Sequence, residues 1–149
     1  MTTAERAIVR RFRLLKLGPI LTIVPYRLRR YDAVEQACWG EFSVGPELCN
    51  AFGNIHGGII TTMLDICATT TAMCAQALRG GAPTIELKTS FLAPVPAGRV
   101  RSEGRVLRMG RSIAFLEGRL YGPRNDLLAV GSLTTRPTPF PDHVIAGLG

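Results

Sequence analysis

The chain is poor in the residues that hold metals. It has 149 residues but only two histidines, His56 and His143, far apart, and four cysteines, Cys38, Cys49, Cys67 and Cys74, none in a CxxC pair. Zinc-ligand spacing is absent, so no metal is expected and the thiols read as free in a reducing cytoplasm. No secretory cleavage pattern follows the basic N-terminus. No uninterrupted apolar run reaches the ~18 residues that cross a bilayer, and the longest, near Leu17–Tyr26, contains Pro19 and Pro25. Acidic residues are nearly missing from the first 30 positions, where eight basic side chains face Glu5 alone. That imbalance accounts for the whole net charge of +7, because the rest of the chain has ten basic and ten acidic side chains. The basicity belongs to an N-terminal arm and not to a folded face with interleaved readers, so nucleic acid is not an expected partner.

What remains is a chain able to bury one core, with 46% hydrophobic residues and the length of a single domain. Residues 4–17 have helical periodicity, with Ala4, Ile8, Phe12 and Leu15 on one stripe and Arg6, Arg10 and Arg13 on another. Thr2 or Thr3 can cap this amphipathic helix and Gly18-Pro19 stops it. It suits either docking on the domain or contact with an acidic membrane surface. Val34–Val44 reads as a strand, preceded by an extended piece over Leu21–Tyr31 that Pro25 places at an edge. Gly57–Leu78 reads as one helix of about 22 residues, ended by Arg79-Gly80-Gly81. Four strands follow: Thr84–Leu92, Arg99–Met109, Ser112–Tyr121 and Leu127–Arg136. In the first, Ile85, Leu87, Thr89 and Phe91 share one face; in the second, Val100, Ser102, Gly104 and Val106 do. Short turns between them favour antiparallel pairing. The expected class is α+β, an antiparallel sheet wrapped around one central helix. The boundaries drawn are a basic extension over 1–33, a domain over 34–136 and a Pro-rich tail over 137–149 that is not core.

The central helix carries the chemistry. It is apolar on every face, which means burial, yet it contains Asp65. A desolvated, unpaired carboxylate is costly. A structural role, bonding a neighbouring loop, is one account; a general base or nucleophile is the other. His56-Gly57-Gly58 opens the helix, where unpaired N–H groups and the positive dipole end suit an anion or the oxygen of a carbonyl gaining charge. The two glycines let a ligand approach the backbone. His56 either adds a side-chain donor or is simply a helix-start residue. Asp65 lies eight residues past Gly57, about 12 Å along the axis, too far to share one carbonyl carbon within one chain. Two such helices in a symmetric dimer would form a shared site twice.

Asn50-x-x-Gly53-x-x-His56-Gly57-Gly58 followed by Asp65 resembles the signature of hotdog-fold acyl-CoA thioesterases of the PaaI-like type, and the likeness covers residues 34–136. That resemblance implies the hotdog fold, assembly as a homodimer or dimer of dimers, and hydrolysis of an acyl-CoA to free acid and CoA, with CoA as part of the substrate and no cofactor. It implies that the Gly57 N–H polarises the thioester carbonyl beside His56, and that Asp65 of the partner chain activates water or attacks the carbonyl. Asn50 would place the water or thioester, and the Thr84 hydroxyl would support the carboxylate. Gly58 would line the substrate, and Arg108, Gly110, Arg111 and Ser112 would meet the pantetheine and phosphates of CoA. Two other readings stand beside this one. A hotdog acyl-CoA hydratase or dehydratase usually pairs a histidine with an acid, and no suitable second histidine is present. A non-catalytic acyl-CoA-binding or sensing module is the other.

Overall fold

The most apolar segment becomes the centre of the molecule. The computed structural model describes residues 1–148. Its elements are α1 (Thr3–Phe12), α2 (Ile20–Ile23), β1 (Tyr26–Asp32), β2 (Ala37–Val44), α3 (Gly57–Ala75), β3 (Gly80–Gly81), β4 (Thr84–Phe91), β5 (Gly98–Met109), β6 (Ala114–Tyr121), β7 (Leu127–Thr135), β8 (Thr138–Pro139) and α4 (Asp142–Ile145). Six strands form one sheet in the order β1-β2-β5-β6-β7-β4, every neighbouring pair antiparallel. The sheet curls around α3, whose Met63, Leu64, Cys67, Ala68 and Ala72 have no solvent exposure. By length and mean hydropathy, 1.3 over an 18-residue window, α3 could also cross a bilayer. It is not an uninterrupted apolar run, since five threonines and Asp65 break it, and the threonines lower its mean hydropathy little.

A row of glycines lets the helix sit this close. Gly104, Gly118 and Gly131 lie opposite one another on β5, β6 and β7. A methyl at Gly104 would overlap the Cys67 carbonyl and the Thr71 hydroxyl; one at Gly118 would lie 2.8 Å from the Leu64 carbonyl oxygen. Glycine inside a strand often marks such close backbone approach.

Several boundaries differ from expectation. The central helix ends at Ala75, not Leu78. The Ala77 N–H donates to the Cys74 carbonyl and the Leu78 N–H to that of Met73, which is the Schellman pattern. Ala77 and Leu78 take left-handed backbone conformations there, φ 53° and 62°, positions glycine normally fills. Gly80–Gly81 instead pairs with Thr138–Pro139 as a small ribbon. Helix α1 ends at Phe12, and turn bonds to the Arg11 and Phe12 carbonyls then fold Leu15 into the core. Its buried face is Glu5, Val9 and Phe12, while Ala4 is exposed. The rotation follows from a capping box between Thr2 and Glu5, with the Glu5 carboxylate also accepting from the Ala33 N–H at 2.9 Å.

The sheet begins at Tyr26, within the basic extension, so β1 joins that segment to the domain as an edge strand. The C-terminal segment docks on the arm. Val144 is buried with Val9, Phe12, Leu15 and Leu78, and its carbonyl accepts from the Lys16 N–H at 3.2 Å. Of the tail drawn over 137–149, Gly149 lies outside the described residues.

Candidate active site

His56 occupies the N-cap of α3, with extended backbone (φ −58°, ψ 139°), and its Nδ1 accepts from the Gly58 N–H at 3.0 Å. That bond commits the Gly58 amide and leaves the His56 ring proton on Nε2, at the surface. The Gly57 N–H has no acceptor among the described residues. No acidic side chain stands in the first turn of α3, so the positive end of the helix dipole is uncompensated there. Gly57 lines a cleft of about 460 Å³ together with Asn50, Phe52, Ile60 and Phe91. Asn50 shapes its rim. Its Oδ1 accepts from the Phe52 and Asn54 N–H groups at 2.9 and 3.3 Å, and Gly53 closes the turn with φ 78°. With the oxygen so engaged, the Asn50 side-chain NH₂ is the group free to meet a ligand.

Two turns further along α3, Asp65 is half-buried and does not line that cleft. Its Oδ1 accepts from the Thr84 hydroxyl at 2.5 Å. No Lys, Arg or His pairs with it among the described residues. It opens onto two hollows on either side of Phe140, one of which reaches Thr84.

Thr84 reaches Asp65 because of an irregularity. Strict alternation along β4 would place it with Glu86, away from the helix. A bulge at Ile85 inserts one residue, so that Thr84 pairs with Thr135 while Glu86 pairs with Thr134. Thr84 therefore shares the helix-facing side with Leu87 and Thr89, and the Thr89 hydroxyl lies 3.1 Å from that of Thr61 on α3. Ile85 is left 56% exposed.

Thus the residues of the expected site fall into two groups that one chain does not bring together. Asn50, His56 and Gly57 belong to the Phe91 end of β4, and Asp65 to the Thr84 end. The β5–β6 turn stands apart from both. Met109 and Ala114 flank it, with Arg108 opposite Phe115, and Gly110 closes it by donating to the Ile113 carbonyl at 2.9 Å. Through Ala114, Thr135 and Thr84 the turn shares its end of the sheet with Asp65. From Met109 to Thr84 is three strand spacings, about 14 Å. Arg108, Arg111 and Ser112 are exposed there. Cys38, Cys67 and Cys74 are buried and Cys49 is half-buried, and burial pushes the Cys67 thiol far above its usual range.

Comparison with known proteins places these features. The family model of the thioesterase superfamily matches residues 52–129. The human acyl-coenzyme A thioesterase 13 is 30% identical over 78 residues, covering 50% of this chain and 54% of that protein. The chain thus spans about half the length of the curated relatives it matches. Among solved structures, a phenylacetic acid degradation-related protein of Ralstonia eutropha superposes with TM-score 0.76 at 23% identity, covering 85% of this chain and 98% of that one. A Streptococcus mutans protein bound to acetyl-CoA superposes with TM-score 0.67 at 17% identity, covering 76% and 89%. Helix and sheet adopt the hotdog arrangement of these neighbours.

Proposed function

The chain belongs to the thioesterase superfamily, and from that premise we propose that it hydrolyses an acyl-CoA thioester at a site shared between two copies. The observation that carries this reading is Asp65. A carboxylate on the buried helix, held by a hydroxyl and unpaired with any cation among the described residues, opens onto a hollow of about 410 Å³.

The edge strand supplies the second copy. β4 ends the sheet with an unpaired side, and Ile85, Phe91 and Leu92 beside it are each more than half exposed. Such an edge is a template for another strand. Antiparallel self-pairing about the middle of β4 sets Thr84 of one copy opposite Phe91 of the other. The same two-fold lays Asp65 of one α3 beside Gly57 of the other. The separation of about 12 Å within one helix then becomes the reason each site needs both chains.

In this arrangement Asp65 takes a proton from water as the water oxygen attacks the thioester carbon. The Gly57 N–H of the second copy donates to the oxyanion, at the positive end of its helix. Asn50 uses its NH₂ to hold the water or the carbonyl. Collapse of the tetrahedral intermediate breaks the C–S bond, and the proton on Asp65 passes to the departing thiolate. CoA enters as part of the substrate. Arg108 and Arg111 suit its phosphates, which guanidinium groups bind in a fork.

Thiol release from a panel of acyl-CoAs tests this directly. Asp65→Asn keeps the shape and removes the base, so turnover falls by about 10²–10⁴. Activity near that of wild type in this variant would exclude Asp65 from the chemistry.

A further inference from the structure

Asp65 stands at the head of a groove of about 410 Å³ whose walls come from three separate parts of the chain. Its floor is α3, where Asp65, Thr69 and Met73 follow one another at helical spacing with Ile66 beside them. One wall is the N-terminal arm, through Phe12, Leu17 and Leu21. The other is the C-terminal segment, through Phe140 and Val144. Besides Asp65 the lining holds Lys16, Thr69, Thr70 and His143; the Thr69 hydroxyl donates to the Asp65 carbonyl at 2.7 Å, and the remaining side chains are apolar.

These walls are built, not draped. Glu5 ties α1 to the β1–β2 turn through the Ala33 N–H. Lys16 bonds the Val144 carbonyl, and the Phe140 N–H donates to the Arg79 carbonyl at 3.1 Å. Val9, Phe12 and Leu15 bury themselves with Leu28, Cys74 and Leu78. The arm is therefore a fixed part of the domain, and the groove it borders leads away from the reacting carboxylate.

We infer that this groove is the acyl-chain subsite, and that it selects an unbranched aliphatic acyl group of medium length. The inference rests on the thioesterase reading, because Asp65 fixes where the carbonyl lies. From Asp65 to Met73 the floor runs eight residues, about 12 Å. An extended chain advances about 1.2 Å per bond. The groove thus holds roughly ten carbons, an octanoyl or decanoyl chain. A butanoyl or phenylacetyl group would leave the Met73 end unfilled, and a palmitoyl group would overrun it. The volume lies within the usual range for small-molecule sites, roughly 300–1,000 Å³.

The test compares butanoyl-, octanoyl-, decanoyl-, palmitoyl- and phenylacetyl-CoA on wild type, Met73→Trp and Leu21→Trp. The two substitutions fill the groove from opposite walls, so one variant suffices if the other does not fold. Wild-type kcat/KM peaks at octanoyl or decanoyl. Each folded variant loses about tenfold or more on decanoyl relative to butanoyl, as a pocket shortened by a methylene or more does. A wild-type preference for butanoyl or phenylacetyl, or a decanoyl-to-butanoyl ratio unmoved in both variants, overturns the subsite and leaves hydrolysis standing. If no thioester is cleaved, the hydrolase reading fails by itself, and decanoyl-CoA becomes an uncleaved ligand for calorimetry. Binding that weakens about tenfold in Leu21→Trp then supports the groove, and absent or unchanged binding refutes it.

Discussion

Mixing two inactive variants asks whether the site is shared. Gly57→Pro deletes one N–H and little else. Position 57 is the first residue of α3, where proline is well accommodated, and His56 already holds the extended backbone that precedes proline. Losing one oxyanion donor costs about 10²–10³ in turnover, and Asp65→Asn costs at least as much. In a homodimer of either variant both sites are broken. Combined in equal amounts by co-refolding, half of the dimers are mixed. A mixed dimer has one site carrying both lesions and one carrying neither. Activity therefore recovers to about a quarter of wild type under two-fold pairing, measured as thiol release with total protein held constant. Recovery no higher than the mean of the two parents would refute the shared site, because a site complete within one chain gains nothing from mixing.

Other perturbations follow from single contacts. Thr84→Val keeps the volume but removes the donor to Asp65; a hydrogen bond to a charged group contributes about 1.5–3 kcal/mol. Turnover should drop about ten- to a hundredfold while Thr84→Ser stays near wild type, and equal rates for Val and Thr would show that the hydroxyl does not position the carboxylate. Gly104→Ala forces a methyl into the backbone of α3, an overpacking that costs about 1–3 kcal/mol or more. A melt that leaves Tm unchanged would contradict the close contact. Glu5 is held below its usual value of 4.5, first by the Ala33 N–H and then by that of Thr2. A depressed carboxylate stabilises the fold above that ordinary value and loses its contribution as pH falls through the lowered one. The Tm gap between wild type and Glu5→Gln should be full near neutrality and close in acid below 4.5, whereas a gap that persists there would assign it to packing.

Whatever a short stretch of chain decides by itself could be read without a structure. The run His56-Gly57-Gly58 with Asp65 two turns later needs only helical spacing to pose its question. The alternation of Val100, Ser102, Gly104 and Val106 holds in β5, where all four are buried. Other features depend on what lies across from them. Thr84 faces Asp65 only because Ile85 bulges, and a bulge is defined by two strands, so alternation along β4 alone puts Thr84 on the wrong face. Gly104, Gly118 and Gly131 look like three isolated weak points in separate strands until the register aligns them into one groove. Leu78 carries no stop signal, yet the helix ends before it, since burying Leu78 beside Cys74 and Leu28 compensates its left-handed backbone. The tail reads as outside the core, and the arm's partner stays open, because each holds only half of a cluster; Val9, Phe12 and Val144 make a core only together. The division of the proposed catalytic groups follows the same logic. Asp65 and Gly57 sit on one rigid helix, which keeps them about 12 Å apart in every conformation that preserves the fold. No loop movement within one chain can close that distance, so a second copy is the means by which this fold could bring them to one carbonyl.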